Sequence, residues 1–192
     1  ASSGPRITVR FFGGYEFTAV DADAARLVQA GYERGVPMGG DLKAAPAGKV
    51  PTFLIAAMKD PAGANLDRVQ VVKGWVDADG KQHEAIYNVV WSDAEKRKEV
   101  NGKLPAVGNT IDLGTATYQN SIGASELTGT FTDPSFDPTQ RAFYYVRVLE
   151  IPTPRWTAYD AVRYKVKMDP EVTMTVIERA ITSPIWYSPS GT

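Results

Sequence analysis

The stretch Arg141–Ile151 (RAFYYVRVLEI) is the strongest constraint on the fold. It is rich in β-branched and aromatic residues, which crowd a helix and suit a pleated surface. Successive strand side chains point to opposite faces. Ala142, Tyr144, Val146, Val148 and Glu150 therefore share one face, and Phe143, Tyr145, Arg147 and Leu149 share the other. A strand of this kind is expected to be central and to need partners on both sides.

The chain supplies them. Ile7–Phe12 is β-branched and aromatic and ends at Gly13-Gly14. Thr52–Met58 (TFLIAAM) is a continuous apolar run between Pro51 and Asp60-Pro61, and its length suits a buried strand. Arg68–Val76 and Gln82–Trp91 flank Asp77-Ala-Asp-Gly80 and predict a hairpin. In its second arm His83, Ala85, Tyr87, Val89 and Trp91 fall on one face, and this arm too is expected to be central and substantially buried. Thr115–Gln119 and Glu126–Thr132 predict weaker strands. Ile181–Tyr187 predicts a last one, with Ser183-Pro184 marking an edge or bulge. One helix is predicted over 21–31, capped by Asp21 or Asp23 and stopped by Gly31. A second, short one is predicted over the charged stretch Ser92–Val100. The expected fold is mainly β, an antiparallel β-sandwich with one or two short helices, formed as a single domain over 1–192.

The totals narrow the functions open to such a sandwich. Its 192 residues suffice to bury a core without a covalent staple. The 21 Lys and Arg balance 22 Asp and Glu, so no basic excess exists to neutralise phosphates and no nucleic-acid partner is expected. No apolar run reaches the about 20 residues of a membrane helix. Cysteine is absent, which removes thiol catalysis and thiolate metal sites. The chain opens on Ala1 and its first methionine is Met38. It is therefore expected to be a processed product or a piece of a longer protein.

Catalytic constellations are missing. His83 is the sole histidine, so a multi-histidine metal cage cannot form, and no nucleophile elbow accompanies it. It reads as a half-exposed strand residue. Gly13-Gly14 and Gly39-Gly40 match neither a P-loop nor a dinucleotide fingerprint. Asp77 and Asp79 read as turn residues, since the calcium-loop spacing is absent. No catalytic residue and no metal ligand is therefore assigned within the chain. The segment Ile151-Pro-Thr-Pro-Arg-Trp-Thr157 draws more interest. Two readings stay open for it: a proline-stiffened loop that presents Arg155 and Trp156 to a partner, or a tryptophan that plugs the end of the core.

Five segments together carry a resemblance: 2–14 (SSGPRITVRFFGG), 35–42 (GVPMGGDL), 60–75 (DPAGANLDRVQVVKGW), 141–157 (RAFYYVRVLEIPTPRWT) and 178–187 (ERAITSPIWY). They resemble, in order and over nearly the whole chain, the C-terminal region of the bacterial domain-of-unknown-function 3604 family. That family looks related to PHP-type and carbaryl-hydrolase-like metallohydrolases. The resemblance implies a longer, periplasmic or secreted protein whose N-terminal domain holds a divalent metal. This chain would be its accessory β-sandwich, with no cofactor of its own and that N-terminal domain as its partner. An independent module for a small molecule or polysaccharide is the alternative. Arg6, Asp41, Asn65, Asp67, Arg155, Trp156 and Arg179 lie in or beside loops of the distinctive segments. They are the expected cleft-shaping residues, against the alternative that they form internal ion pairs such as Arg155 with Asp160.

Overall fold

The computed structural model describes residues 1–189 and contains twelve strands and two helices. In chain order these are β1 (Thr8–Gly14), α1 (Leu27–Arg34), β2 (Gly35–Pro37), β3 (Asp41–Leu42), β4 (Thr52–Met58), β5 (Leu66–Val76), β6 (Gln82–Trp91), β7 (Glu126–Thr132), β8 (Ala142–Glu150), β9 (Thr153–Pro154), α2 (Trp156–Tyr164), β10 (Thr175–Val176), β11 (Arg179–Ile181) and β12 (Ile185–Tyr187). One sheet runs β2-β1-β4-β7. The other runs β3-β12-β8-β5-β6, with β11 also on β8, and β9 and β10 form a separate two-stranded ribbon. All pairings are antiparallel except β12 with β3. Among the described residues no helix is long and apolar enough to cross a membrane.

The two large sheets face each other. Phe11, Phe53, Ile55 and Ala57 from the first meet Val69, Val71, Tyr144, Val146, Val148 and Ile185 from the second in one buried cluster. The opposite face of the first sheet carries Phe12 and Leu54, which α1 covers with Leu27 and Ala30. This double burial is why the run Phe53 to Ala57 is apolar at every position and does not alternate. β8 sits between β5 on one side and β11 and β12 on the other, as a strand with two alternating faces should.

Several expectations need correction. The helix lies over 27–34 and not 21–31, because Ala19–Ala22 forms a separate 3₁₀ turn. Asp21 serves that turn, its carboxylate accepting from the Thr18 N–H at 2.8 Å. The Asp23 carboxylate accepts from the Ala25 N–H at 3.0 Å in a local turn. Gly31 does not stop the helix. It lies inside it, where a Cβ would come within 2.5 Å of the Phe12 ring, so its smallness lets α1 close on β1. β6 is an edge strand, and its inward residues are only half-buried. A bulge between Val69 and Gln70 breaks its single-face pattern, so that Val89 and Val90 both pack on the core. Residues 115–119 form no strand. Asp112 and Thr117 make one isolated bridge around a turn in which Ala116 is left-handed (φ 51°). Ser92–Val100 is a turn and not a helix, because Arg97 is drawn inward to Asp67 (2.7 Å) and to the carbonyls of Ser92 and Pro105. Ile181–Tyr187 divides into β11 and β12 at Ser183-Pro184. The proline-rich segment after β8 starts a helix at Trp156 that its sequence did not announce.

Candidate functional site

The recess of most chemical interest lies where β8 ends. The inner face of β8 runs Ala142, Tyr144, Val146, Val148, and the next residue of that parity is Glu150. Its side chain is 2% exposed. Backbone pairing fixes it there, since its N–H donates to the Glu178 carbonyl at 3.0 Å and Leu66 lies opposite. The chain then turns through Pro152 into β9, and the Arg155 N–H donates to the Met174 carbonyl at 2.9 Å. Arg155 is extended (φ −79°, ψ 163°), so α2 springs from it at an angle. Between these elements a cavity of ≈ 420 Å³ is lined by Tyr118, Glu150, Arg155, Trp156, Tyr159 and Glu178.

Its electrostatics are unusual for a sandwich edge. Burial, and then the charge of Glu178, pushes the Glu150 carboxyl up to about 7, with Lys59 opposing and Asp60 adding. Glu150 Oε1 is buried and has no hydrogen-bond partner among the described residues. Lys59 does not reach it: its ammonium donates to the carbonyls of Asp60 (3.0 Å) and Gly63 (2.8 Å). Glu178 accepts from the Ser3 hydroxyl. The Tyr118 phenol is raised by burial first and then by Glu150 and Tyr159. Arg155 holds its guanidinium 5.6 Å from the Trp156 ring centroid. Two carboxylates in unlike surroundings, beside three aromatic rings, can bind a polar or cationic group and hold one proton at neutral pH.

The structure brings together only part of the residues singled out from the sequence. Arg155 and Trp156 line the recess. Trp156 is 61% exposed, which rules out its plugging the core. Arg155 forms no ion pair with Asp160 among the described contacts. Arg6 flanks the recess through Asp60, whose carboxyl is held low first by the Arg6 N–H at 2.8 Å. Arg179 flanks it through Ser3, which bonds its backbone. Asn65 lies beneath, its amide donating to the carbonyls of Asn120 and Ile122. Asp67 is buried in the ion pair with Arg97, and Asp41 is on β3 beside Trp186. Sequence reasoning missed Glu150, Glu178, Tyr118 and Tyr159. The signal for Glu150 was present: a carboxylate on the parity that the rest of its strand reserves for the core.

A second groove holds the lone histidine. His83 Nε2 lies 2.6 Å from Asp77 Oδ2, and the imidazole stacks on Trp75 at 5.2 Å. Asp77 is held low by His83 first, and it also accepts from the N–H groups of Lys81 and Asp79. The pair thus fastens the β5–β6 turn. Ser188 lines the same groove, yet among the described residues no hydrogen bond joins His83 to a hydroxyl. Nor do any three His, Cys, Asp or Glu side chains of the described residues gather as metal ligands.

The family described as "Protein of unknown function (DUF3604)" matches residues 1–189. No curated protein and no solved structure matches.

Proposed function

The chain belongs to the DUF3604 family, whose function is undescribed, and from its structure we propose that it is the accessory β-sandwich of an exported metal-dependent hydrolase. In this reading it packs against the metal-binding domain and offers the Glu150 recess to that domain's cleft. The observation that carries it is the outer surface of α2. This helix buries only Thr157 and Ala158, while Trp156, Tyr159, Val162 and Tyr164 are exposed, Tyr164 by 64%. Exposed large apolar side chains of that kind on a helix fit an interface whose other half is elsewhere. The N-terminal segment supports the same side of the molecule. Pro5 lines the recess and Ser3 bonds Glu178, so a preceding domain would join the sandwich at this edge.

Hydrogen exchange tests the reading. Amides of α2 should gain protection in the full-length protein relative to this chain alone. Equal exchange in both would sink it.

A second reading, an independent polysaccharide-binding module, is favoured by one observation. On the outer face of the second sheet Phe143 and Tyr145 stand nearly parallel (12°), and Trp186 lies 5.3 Å from Phe143. Gly74 opposite leaves room for the Phe143 ring. Retention of the chain on insoluble polysaccharide, lost in Trp186→Ala, would favour this second reading.

A further inference from the structure

We propose that the recess between β8, β9 and α2 is a binding site for an organic ammonium ion, held by the Glu150 and Glu178 carboxylates beside the rings of Tyr118, Trp156 and Tyr159. This names the ligand chemistry of the recess already described, and it rests on the reading above only in taking that recess as a working site.

The first support is Glu150 Oε1. A buried carboxylate oxygen is almost always met by a donor, because leaving it bare costs the full desolvation of that group. Here the described residues provide none, and Lys59, whose charge acts on Glu150, is engaged by backbone carbonyls. Glu150 also lines the cavity, so its carboxylate stands next to the space from which a donor could arrive.

The second support decides what kind of donor. Glu178 lines the same cavity, and its charge acts against ionisation of Glu150. A neutral hydroxyl would satisfy Oε1 and leave that repulsion in place. A cation relieves both. Aromatic faces also attract cations and discriminate against anions. The recess mouth already shows this preference, since Arg155 lies over Trp156. A metal ion is the poorer fit, because among the described residues two carboxylates line the recess and no three acidic or histidine side chains gather there. A cavity of ≈ 420 Å³ is in the range of small-molecule sites.

The site should respond to pH. The groups facing Glu150 are Glu178 from the segment before β11, Tyr118 from the 108–123 loop, Arg155 and Tyr159 at the start of α2, and Lys59 and Asp60 after β4. With Glu150 titrating at about 7, its ionised fraction rises from roughly a tenth at pH 6 to roughly nine-tenths at pH 8, so ammonium affinity should rise about tenfold.

The test is titration of this chain with n-butylammonium chloride, followed by the indole N–H resonance of Trp156 in NMR, with n-butanol as the neutral control. The expected result is a saturable shift with the ammonium and none with the alcohol. Affinity should increase about tenfold from pH 6 to pH 8, and both affinity and pH dependence should fall away in Glu150→Gln. Should Glu150→Gln fail to fold, Glu178→Gln provides the second variant, with a severalfold loss expected. Equal responses to ammonium and alcohol, no saturable shift, or unchanged affinity in the folded variants would overturn the proposal. Such a failure leaves the α2 interface reading standing, since hydrogen exchange tests that separately.

Discussion

Lys73 Nζ lies 2.7 Å from Asp133 Oδ2, and the two side chains, 3% and 0% exposed, are sealed between the sheets. Tyr144 donates its hydroxyl to the same Asp133 oxygen at 2.8 Å, and Lys73 also donates to the Ser135 carbonyl at 2.8 Å. Removing one member of such a group leaves a buried charge with no counterion. Asp133→Ala should therefore destabilise the fold by about 3–5 kcal/mol, read from the urea midpoint. A loss below about 1 kcal/mol would mean that solvent reaches Lys73.

Glu150 makes stability depend on pH in an uncommon direction. Its folded-state value of about 7 lies above the 4.5 of an ordinary glutamate. The unfolded chain gives up this proton first, so the stability linked to it is fully present below 4.5 and is lost as pH rises through 7. Glu150→Gln should remove that loss, making the variant more stable than the parent at pH 8 by up to about 3 kcal/mol and close to it at pH 4. Parallel stability–pH curves for the two proteins would contradict this.

Gly31→Ala pits two effects against each other. Alanine favours a helix over glycine by about 1 kcal/mol. The added Cβ would stand 2.5 Å from Phe12 Cγ, the ring atom nearest the backbone, which cannot swing aside. Overpacking of this kind costs about 1–3 kcal/mol and should win. The expected outcome is a lower Tm. A raised Tm would show that α1 can slide on β1.

Arg155→Ala and Asp67→Ala should part company. Arg155 is partly exposed, without a carboxylate partner among the described ion pairs, so its loss should leave Tm nearly unchanged and, on the hydrolase reading proposed above, lower catalytic efficiency in the full-length protein. Asp67 is buried against Arg97, and its loss should cost about 3 kcal/mol or more of stability. Thermal melts alongside activity per folded molecule separate the two outcomes.

The strands were legible because alternation and burial leave direct marks on sequence. β4 and β7 begin and end where their residue patterns do, and β8 does so to within a residue. The helices were not, because tertiary contacts set their limits. Gly31 has the identity of a stop and the environment of a packing residue. Trp156 and Tyr159 are in a helix although Pro152 and Pro154 precede it closely. The recess was harder still. Glu150, Glu178 and Tyr118 are far apart in sequence and meet only through the β8–β11 pairing and the 108–123 loop. One part was readable in principle: the final residue of β8 breaks the chemistry of its face while keeping its parity.

The double burial of β4 carries a kinetic liability. Thr52–Met58 is an uncharged, proline-free window dominated by apolar residues, which is the composition of an aggregation-prone segment. In the folded protein β1 and β7 occupy both its edges, while α1 and the second sheet cover its faces. Before β7 has been made, one edge is still open. Pro51 on one side and Lys59-Asp60 on the other then stand as gatekeepers for the nascent chain, so substitutions there should reduce soluble yield while leaving the properties of the folded molecules intact.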